Sequence, residues 1–332
     1  MGEKKLTLAE FVSEWNSDSK YVEVYTSGST GTPKRMLVEK ARMAESARMT
    51  CRFLSLLSSD TALLCMPLEY IAGKMVVVRC LVSGMRLIQV EPSGHPLKDI
   101  DSVPSFVAMV PMQVYNTLQV EEEAKKLRAV KNLIIGGGAV DSSLERQLKD
   151  FPNAVWSTYG MTETLSHIAM RRINGLDASD YYFPLPGVSL SVDKRGCLVV
   201  SAPRICNDAL YTRDIVELDS STGAFKVLGR MDNVICSGGI KIQTEDVENA
   251  VRSLTDINFA ISKQPDEKFG EIVVMAVEQS CGEEALVALK DKIEETLPKY
   301  WHPKRYCLIE KIPMTQTGKI ARKELYRLLN TP

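Results

Sequence analysis

The sequence predicts an α/β protein, a mostly parallel sheet flanked by helices, followed by a smaller α+β unit at the C-terminus. Three observations lead there. Short apolar runs alternate with helix-period segments across residues 20–160, the pattern of a parallel sheet covered by helices. From about residue 181 the texture shifts to short strands and turns. Past Gly229-Arg230 it changes again, to a helix–strand–strand–helix–strand–helix order, so that 1–229 and 230–332 read as two domains. A chain of 332 residues is long enough to bury a sizeable core in each.

The elements follow in order. Tyr21–Tyr25 alternates as a strand and runs into a Gly/Ser/Thr loop. Residues 38–58 place Ala44, Ala47, Cys51 and Leu54 on one face of a helix. Residues 61–66 and 85–90 are apolar runs flanking a helix at 72–82, and 131–135 is a buried strand ending in Gly136-Gly137-Gly138. Ser142 and Glu145 have the spacing of a capping box, starting a helix that reaches residue 150.

Composition excludes several classes. Lys+Arg is 41 and Asp+Glu 42, a balance that offers no basic surface to nucleic acid or an anionic membrane. The eight cysteines are scattered without metal-ligand or C-x-x-C spacing, and several lie in apolar runs, as buried reduced thiols do. Met1-Gly2-Glu3-Lys4-Lys5 lacks an apolar signal core, and no apolar run has membrane-spanning length, so a soluble cytoplasmic protein is expected. The three histidines suggest neither a zinc site nor a catalytic triad.

Five strings carry chemistry. In Tyr25-Thr26-Ser27-Gly28-Ser29-Thr30-Gly31-Thr32-Pro33-Lys34, small hydroxyl residues and glycines let backbone N–H groups turn toward a polyphosphate, with Lys34 neutralising charge. It is not a Walker A loop, because Lys34 follows Pro33 and no Ser/Thr comes after it. Tyr159-Gly160-Met161-Thr162-Glu163 sets a carboxylate beside a hydroxyl, suited to Mg²⁺ shared with phosphate. Thr212-Arg213-Asp214 is the third. Gly229-Arg230-Met231-Asp232-Asn233, continued by Ser237-Gly238-Gly239-Ile240-Lys241, is the fourth, and Gly318-Lys319 near the end is the fifth. Each alone has a plain reading as a turn, a cap or a strand end; their joint order does not.

In that order the strings resemble the adenylate-forming superfamily of acyl-CoA ligases, luciferases and peptide-synthetase adenylation domains. The resemblance implies that Ser27, Thr30 and Lys34 hold the ATP phosphates and that Gly137 and Gly138 form the adenine-side turn. It implies Tyr159 on adenine, Thr162 on phosphate, Glu163 on Mg²⁺, Asp214 on the ribose hydroxyls and Arg230 on ribose or phosphate. Asp232 becomes the hinge of a mobile C-terminal lid, Gly238 and Gly239 line a pantetheine tunnel, and Lys319 is the catalytic lysine over the α-phosphate. Two departures stand out: Arg213 replaces the usual glycine, and Leu210 a common tyrosine.

Within the superfamily, Tyr159 to Ile168 is most similar to the o-succinylbenzoate–CoA ligases. Met66-Pro67-Leu68-Glu69-Tyr70-Ile71-Ala72-Gly73 resembles their pocket motif, with Glu69 and Tyr70 in place of Phe-His. The implied reaction is ATP-dependent activation of a carboxylic acid, o-succinylbenzoate foremost, and transfer to coenzyme A. For the slot of an aromatic dicarboxylate the candidates are Tyr70, Tyr115 and Ser166, with Lys74 and His167 as cations for the second carboxylate. Two alternatives stay open: an adenylation enzyme loading a carrier-protein thiol, and an inactive nucleotide-binding scaffold. The short segment before the phosphate loop suggests a trimmed natural form or a truncation. Homo-oligomerisation is left open.

Overall fold

The computed structural model describes residues 6–25, 35–315 and 319–330. Helix α1 (Leu8–Asn16) opens on a capping box in which Glu10 N donates to Thr7 Oγ1 and Thr7 N to the Glu10 carboxylate. Strand β1 (Tyr21–Tyr25) lies where the alternation predicts, but its partner strand is β2 (Arg35–Glu39), in an antiparallel ribbon outside the main sheet. Helix α2 (Lys40–Phe53) follows, shorter than the predicted span.

The main sheet is built from β3 (Thr61–Leu64), β4 (Arg86–Gln89), β5 (Phe106–Met109), β6 (Asn132–Ile135), β7 (Ala154–Gly160), β8 (His167–Arg172) and β9 (Phe183–Pro184). Their order is β4-β3-β5-β6-β7-β8-β9, parallel as far as β7 and antiparallel beyond it. Strands β5 and β6 are buried at every position, which is why they read as unbroken apolar runs. Helices α3 (Ile71–Ser83), α4 (Pro111–Leu118), α5 (Glu121–Ala129) and α6 (Ser142–Leu148) provide the connections. The capping residue of α6 is Asp141 rather than Ser142: Asp141 Oδ1 accepts from Ser143 N and Leu144 N at 2.9 Å. Glu145 is drawn instead into an ion pair with Arg171 on β8.

Helix α3 presses its first turn onto the chain leaving β3. A Cβ at Gly73 would stand 2.3 Å from Pro67 O and 2.9 Å from Met66 O, both backbone atoms. Gly73→Ala is therefore expected to destabilise the protein by about 1–3 kcal/mol, the usual scale of an overpacked interior. A lowered urea midpoint at unchanged m-value would show it; an unchanged midpoint would mean that the 66–70 turn yields.

Beyond the main sheet, β10 (Ser189–Val192), β11 (Cys197–Ser201), β12 (Leu210–Leu218) and β13 (Phe225–Arg230) form an antiparallel sheet. The last unit opens with a hairpin, β14 (Val234–Ser237) and β15 (Ile240–Gln243), ahead of the helix–strand–strand–helix–strand–helix order that the sequence predicts. The two Gly238-Gly239 φ angles of +57° and +86° make that reversal. Then come α7 (Thr244–Arg252), β16 (Phe259–Asp266), β17 (Gly270–Glu278), α8 (Glu283–Thr296), β18 (Arg305–Ile309) and α9 (Arg322–Asn330). One hydrophobic cluster runs from Phe11 to Phe225, and two others lie between Ile235 and Leu329. Within that last unit Arg322 ties α9 to α7 through Glu248 at 2.7 Å. All eight cysteines are free, and Cys51, Cys65, Cys80, Cys197 and Cys206 are buried. Among the described residues no helix is long and apolar enough to cross a membrane.

Candidate active site

In an open parallel sheet, the strands' carboxyl ends leave a crevice in which ligands sit. Here that crevice is a cavity of about 410 Å³. Met66 after β3, Val110 after β5, Gly137 after β6, Gly160 at the end of β7 and Thr162 after it wall it, and Lys319 closes over it from the C-terminal unit. Close approach explains Gly160: a Cβ there would lie 2.3 Å from Ser166 O.

The chain leaving β7 is bent hard. A 3-10 turn covers Thr162–Thr164, and the fully buried Thr164 Oγ1 accepts from Met161 N at 2.9 Å and lies 2.7 Å from Ser166 O. Leu165 follows at a φ of 62°, with Ser166 N donating to Thr164 O at 2.7 Å across it. A non-glycine residue at positive φ carries local strain, held here by the buried threonine. The bend turns Leu165, Ser166 and His167 onto the cavity wall.

Behind Ser166 lies the feature that the motifs do not name. Arg79, on α3, is 2% exposed and lines the cavity. Its Nη2 donates to Ser166 Oγ at 2.6 Å, and its Nε has no partner. No carboxylate among the described residues pairs with it. Its titratable neighbours are Cys51 and Cys80, whose thiols burial raises, Cys80 to about 12, so they stay neutral. Burial pulls the guanidinium down to about 10, which leaves it a cation at neutral pH. His167 is buried against it. Desolvation first, then the Arg79 charge, holds the imidazole pKa well below its ordinary value, so the ring is neutral.

This corrects the expected cations. His167 lines the cavity uncharged, and Lys74 does not line it. Lys74 is 3% exposed, with its ammonium 5.0 Å from the Phe11 ring and near Glu14, Glu69 and Glu23. Five residues along a helix is a turn of roughly 140°, so α3 cannot point Lys74 and Arg79 the same way. Tyr70 does line the cavity, whereas Tyr115 is 51% exposed and stands outside it. Glu69 turns away and accepts from Leu6 N at 2.8 Å. A signal for Arg79 exists in the sequence: a lone cation within Val76-Val77-Val78-Arg79-Cys80 has no polar face to occupy.

A second polar group joins the two parts of the chain. Tyr159 OH donates to Asp214 Oδ2 at 2.5 Å, and Arg230 Nη1 donates to Asp214 Oδ1 at 2.8 Å. Arg230 also reaches Asp232 at 3.3 Å, and Arg213 meets Asp232 at 2.6 Å. Burial, then Asp214, raises the Tyr159 hydroxyl, which therefore stays protonated. The Tyr159 ring packs edge-on to Phe225 at 5.0 Å. Lys319 is exposed as a whole, yet desolvation of its ammonium, then the Arg230 charge, lowers its pKa, with Asp214 opposing. Glu163 is exposed; neither it nor Gly138 lines the cavity. Gly238 and Gly239 lie at the β14–β15 turn, away from it. Ser27, Thr30 and Lys34 lie outside the described residues.

The sequence matches the AMP-binding enzyme family over residues 3–202 and the AMP-binding enzyme C-terminal domain over 246–319. The 2-succinylbenzoate–CoA ligase of Enterococcus faecalis is 27% identical over 347 residues, covering 96% of this chain and 71% of that protein. An acyl-CoA synthetase (AMP-forming)/AMP-acid ligase II-like protein from Dyadobacter fermentans is 34% identical at a TM-score of 0.64, covering 97% of this chain and 93% of that one. The o-succinylbenzoate coenzyme A synthetase of Bacillus subtilis, solved with ATP and a magnesium ion, shares the fold at a TM-score of 0.75 and 21% identity, covering 91% of this chain and 69% of that one.

The fold and the matched families define an adenylate-forming ligase. The chain belongs to the AMP-binding enzyme family. Enzymes of this kind use ATP with Mg²⁺ and coenzyme A, and the chain is accordingly an AMP-forming acid–thiol ligase.

Proposed function

We propose that the protein activates an aromatic dicarboxylate of the o-succinylbenzoate class as its acyl-AMP and passes the acyl group to coenzyme A in the cytoplasm. The observation that carries this reading is Arg79, a buried cation without a carboxylate partner among the described residues, on the wall of a largely apolar cavity. Burying an unpaired charge costs several kcal/mol unless a counter-charge arrives. A substrate with a second carboxylate supplies one, and a cavity of about 410 Å³ is of a size for a small aromatic acid.

In this reading the acid attacks the ATP α-phosphate in line and pyrophosphate leaves. Lys319, beside Arg230 and Asp214, faces the charge that develops at phosphorus. Asp214 receives the ribose: its two oxygens have lone pairs beyond those given to Tyr159 and Arg230. Gly137 and Tyr159 are assigned to the adenine side and Thr162 to phosphate, with Ser27, Thr30 and Lys34 on the outer phosphates. Among the described residues no group of three or more His, Cys, Asp and Glu could hold a metal. One exposed carboxylate, Glu163, fits an Mg²⁺ that arrives on phosphate and keeps most of its oxygen ligands from there. Residues 1–229 and 230–332 act as body and lid, pivoting at Asp232 so that Lys319 withdraws and the Gly238-Gly239 turn comes to the thiol.

The test is pyrophosphate release from ATP-Mg²⁺ over a panel of mono- and dicarboxylic acids, with and without coenzyme A. Turnover on o-succinylbenzoate that depends on coenzyme A is expected. Turnover confined to monoacids would sink the dicarboxylate reading, and adenylation with transfer only to a phosphopantetheinyl carrier would replace the thiol.

A further inference from the structure

Thr50 belongs to none of the strings that carry chemistry, yet it is fully buried behind the cavity on α2. Its Oγ1 lies 2.9 Å from His167 Nε2 and 3.3 Å from Ser46 O. With the threonine proton on Ser46 O, a carbonyl oxygen that only accepts, Oγ1 accepts from His167 Nε2–H. A neutral imidazole carries one N–H, which leaves a lone pair on Nδ1. Nδ1 lies 3.3 Å from Ser166 Oγ. Ser166 Oγ already accepts from Arg79 Nη2 at 2.6 Å, so its own proton is free to turn to Nδ1. Each donor in the series then has one acceptor: Arg79 to Ser166, Ser166 to His167, His167 to Thr50, Thr50 to Ser46. Arg79, His167, Thr50 and Ser46 are buried in this series, and Ser166 is half-buried on the cavity wall.

We infer that Thr50 is a specificity-determining positioning residue: by fixing the His167 tautomer and thereby the Ser166 hydroxyl, it aims the Arg79 guanidinium at the second carboxylate of the substrate. This rests on the proposed role of Arg79. With valine at position 50, Nε2–H loses its acceptor. The imidazole relieves this by carrying its proton on Nδ1, which then donates to Ser166 Oγ. Ser166 Oγ now accepts from both neighbours, its own proton has no fixed acceptor, and Arg79 loses its aim. Serine at position 50 keeps the oxygen and the direction of the series.

The experiment uses the full chain as Thr50→Val and Thr50→Ser. Steady-state kinetics are measured with o-succinylbenzoate and with the two monoacids that each lack one of its carboxylates. Thr50→Val is expected to raise KM for the dicarboxylate by about tenfold, the effect of weakening one hydrogen bond to a charged group. KM for ATP and for the accepted monoacid should stay as in the parent, and Thr50→Ser should restore the dicarboxylate value. Equal losses on dicarboxylate and monoacid, or no loss on either, would overturn the inference. Ring ¹⁵N chemical shifts of histidine-labelled protein read the tautomer without any substrate: Nε2–H in the parent, Nδ1–H in Thr50→Val. An Nδ1–H parent would overturn the positioning role itself. An Nε2–H parent that does not prefer the dicarboxylate would instead overturn the assignment of Arg79.

Discussion

Lys319→Ala is expected to slow acyl-adenylate formation by roughly 10²–10³-fold, the loss that follows removal of one preorganised donor from a developing oxyanion. Transfer from a supplied acyl-adenylate to coenzyme A should survive. The asymmetry follows from the proposed lid. Lys319 faces the cavity near Asp214 and Arg230, and the proposed lid motion would withdraw it for the second step. The sign of the pH effect is fixed by the direction of the shift. Desolvation and Arg230 lower the ammonium pKa, so the cation is lost at a lower pH than for an ordinary lysine. Since the protonated form is the active one, adenylation should fall as pH rises through that lowered value. Phosphates of bound ATP raise it again, so the alkaline limb should lie higher in kcat than in kcat/KM for ATP. Single-turnover pyrophosphate release and thiol transfer, measured separately, decide the matter. Equal loss of both halves would count against this division of labour, as would an alkaline limb that persists in the alanine variant.

How much of this was legible in the sequence differs from element to element. Helix α3 and strands β3 and β6 follow directly from apolar periodicity and run length. Strand β5 did not, because four consecutive apolar residues buried on both faces carry no period to read. Helices α4 and α5 follow it closely and went with it. The hairpin β14–β15 is hidden by its composition: Ile240-Lys241-Ile242-Gln243 is short and half exposed, and only its glycines announce a turn. At the site, position beside a matched string picks out Ser166, His167 and Tyr70, and all three stand on the cavity wall. Charge does not transfer so simply. Lys74 and Arg79 share one helix, and only its rotation decides which cation faces the cavity. Nor does histidine in a pocket mean a cation, because burial beside a guanidinium keeps His167 neutral. Thr50 was out of reach: its tie to His167 joins residues 117 positions apart.

Arg79→Met should lower kcat/KM for the dicarboxylate by roughly 10²–10³-fold, the effect of removing one partner from a buried, hydrogen-bonded charge pair. Its effect on the fold should run the other way. Methionine fills the space with an apolar chain and removes a desolvated charge that has no counter-ion among the described residues. Replacing buried charges by apolar residues is often neutral or stabilising, so the urea midpoint should stay level or rise. Ser166 then loses the donor at 2.6 Å but keeps its own proton on His167, so the wall itself is undisturbed. Arg79→Lys keeps the charge without the planar fork and should fall between parent and methionine variant on the dicarboxylate. Activity on a monoacid separates the two roles that a buried arginine can have. A site built for a second carboxylate loses the dicarboxylate selectively and leaves the monoacid near its parent rate. An arginine that only braces α3 against the Ser166 turn would lose both together, with a lowered midpoint. That second pattern would withdraw the proposed substrate class and leave the adenylate-forming reaction in place.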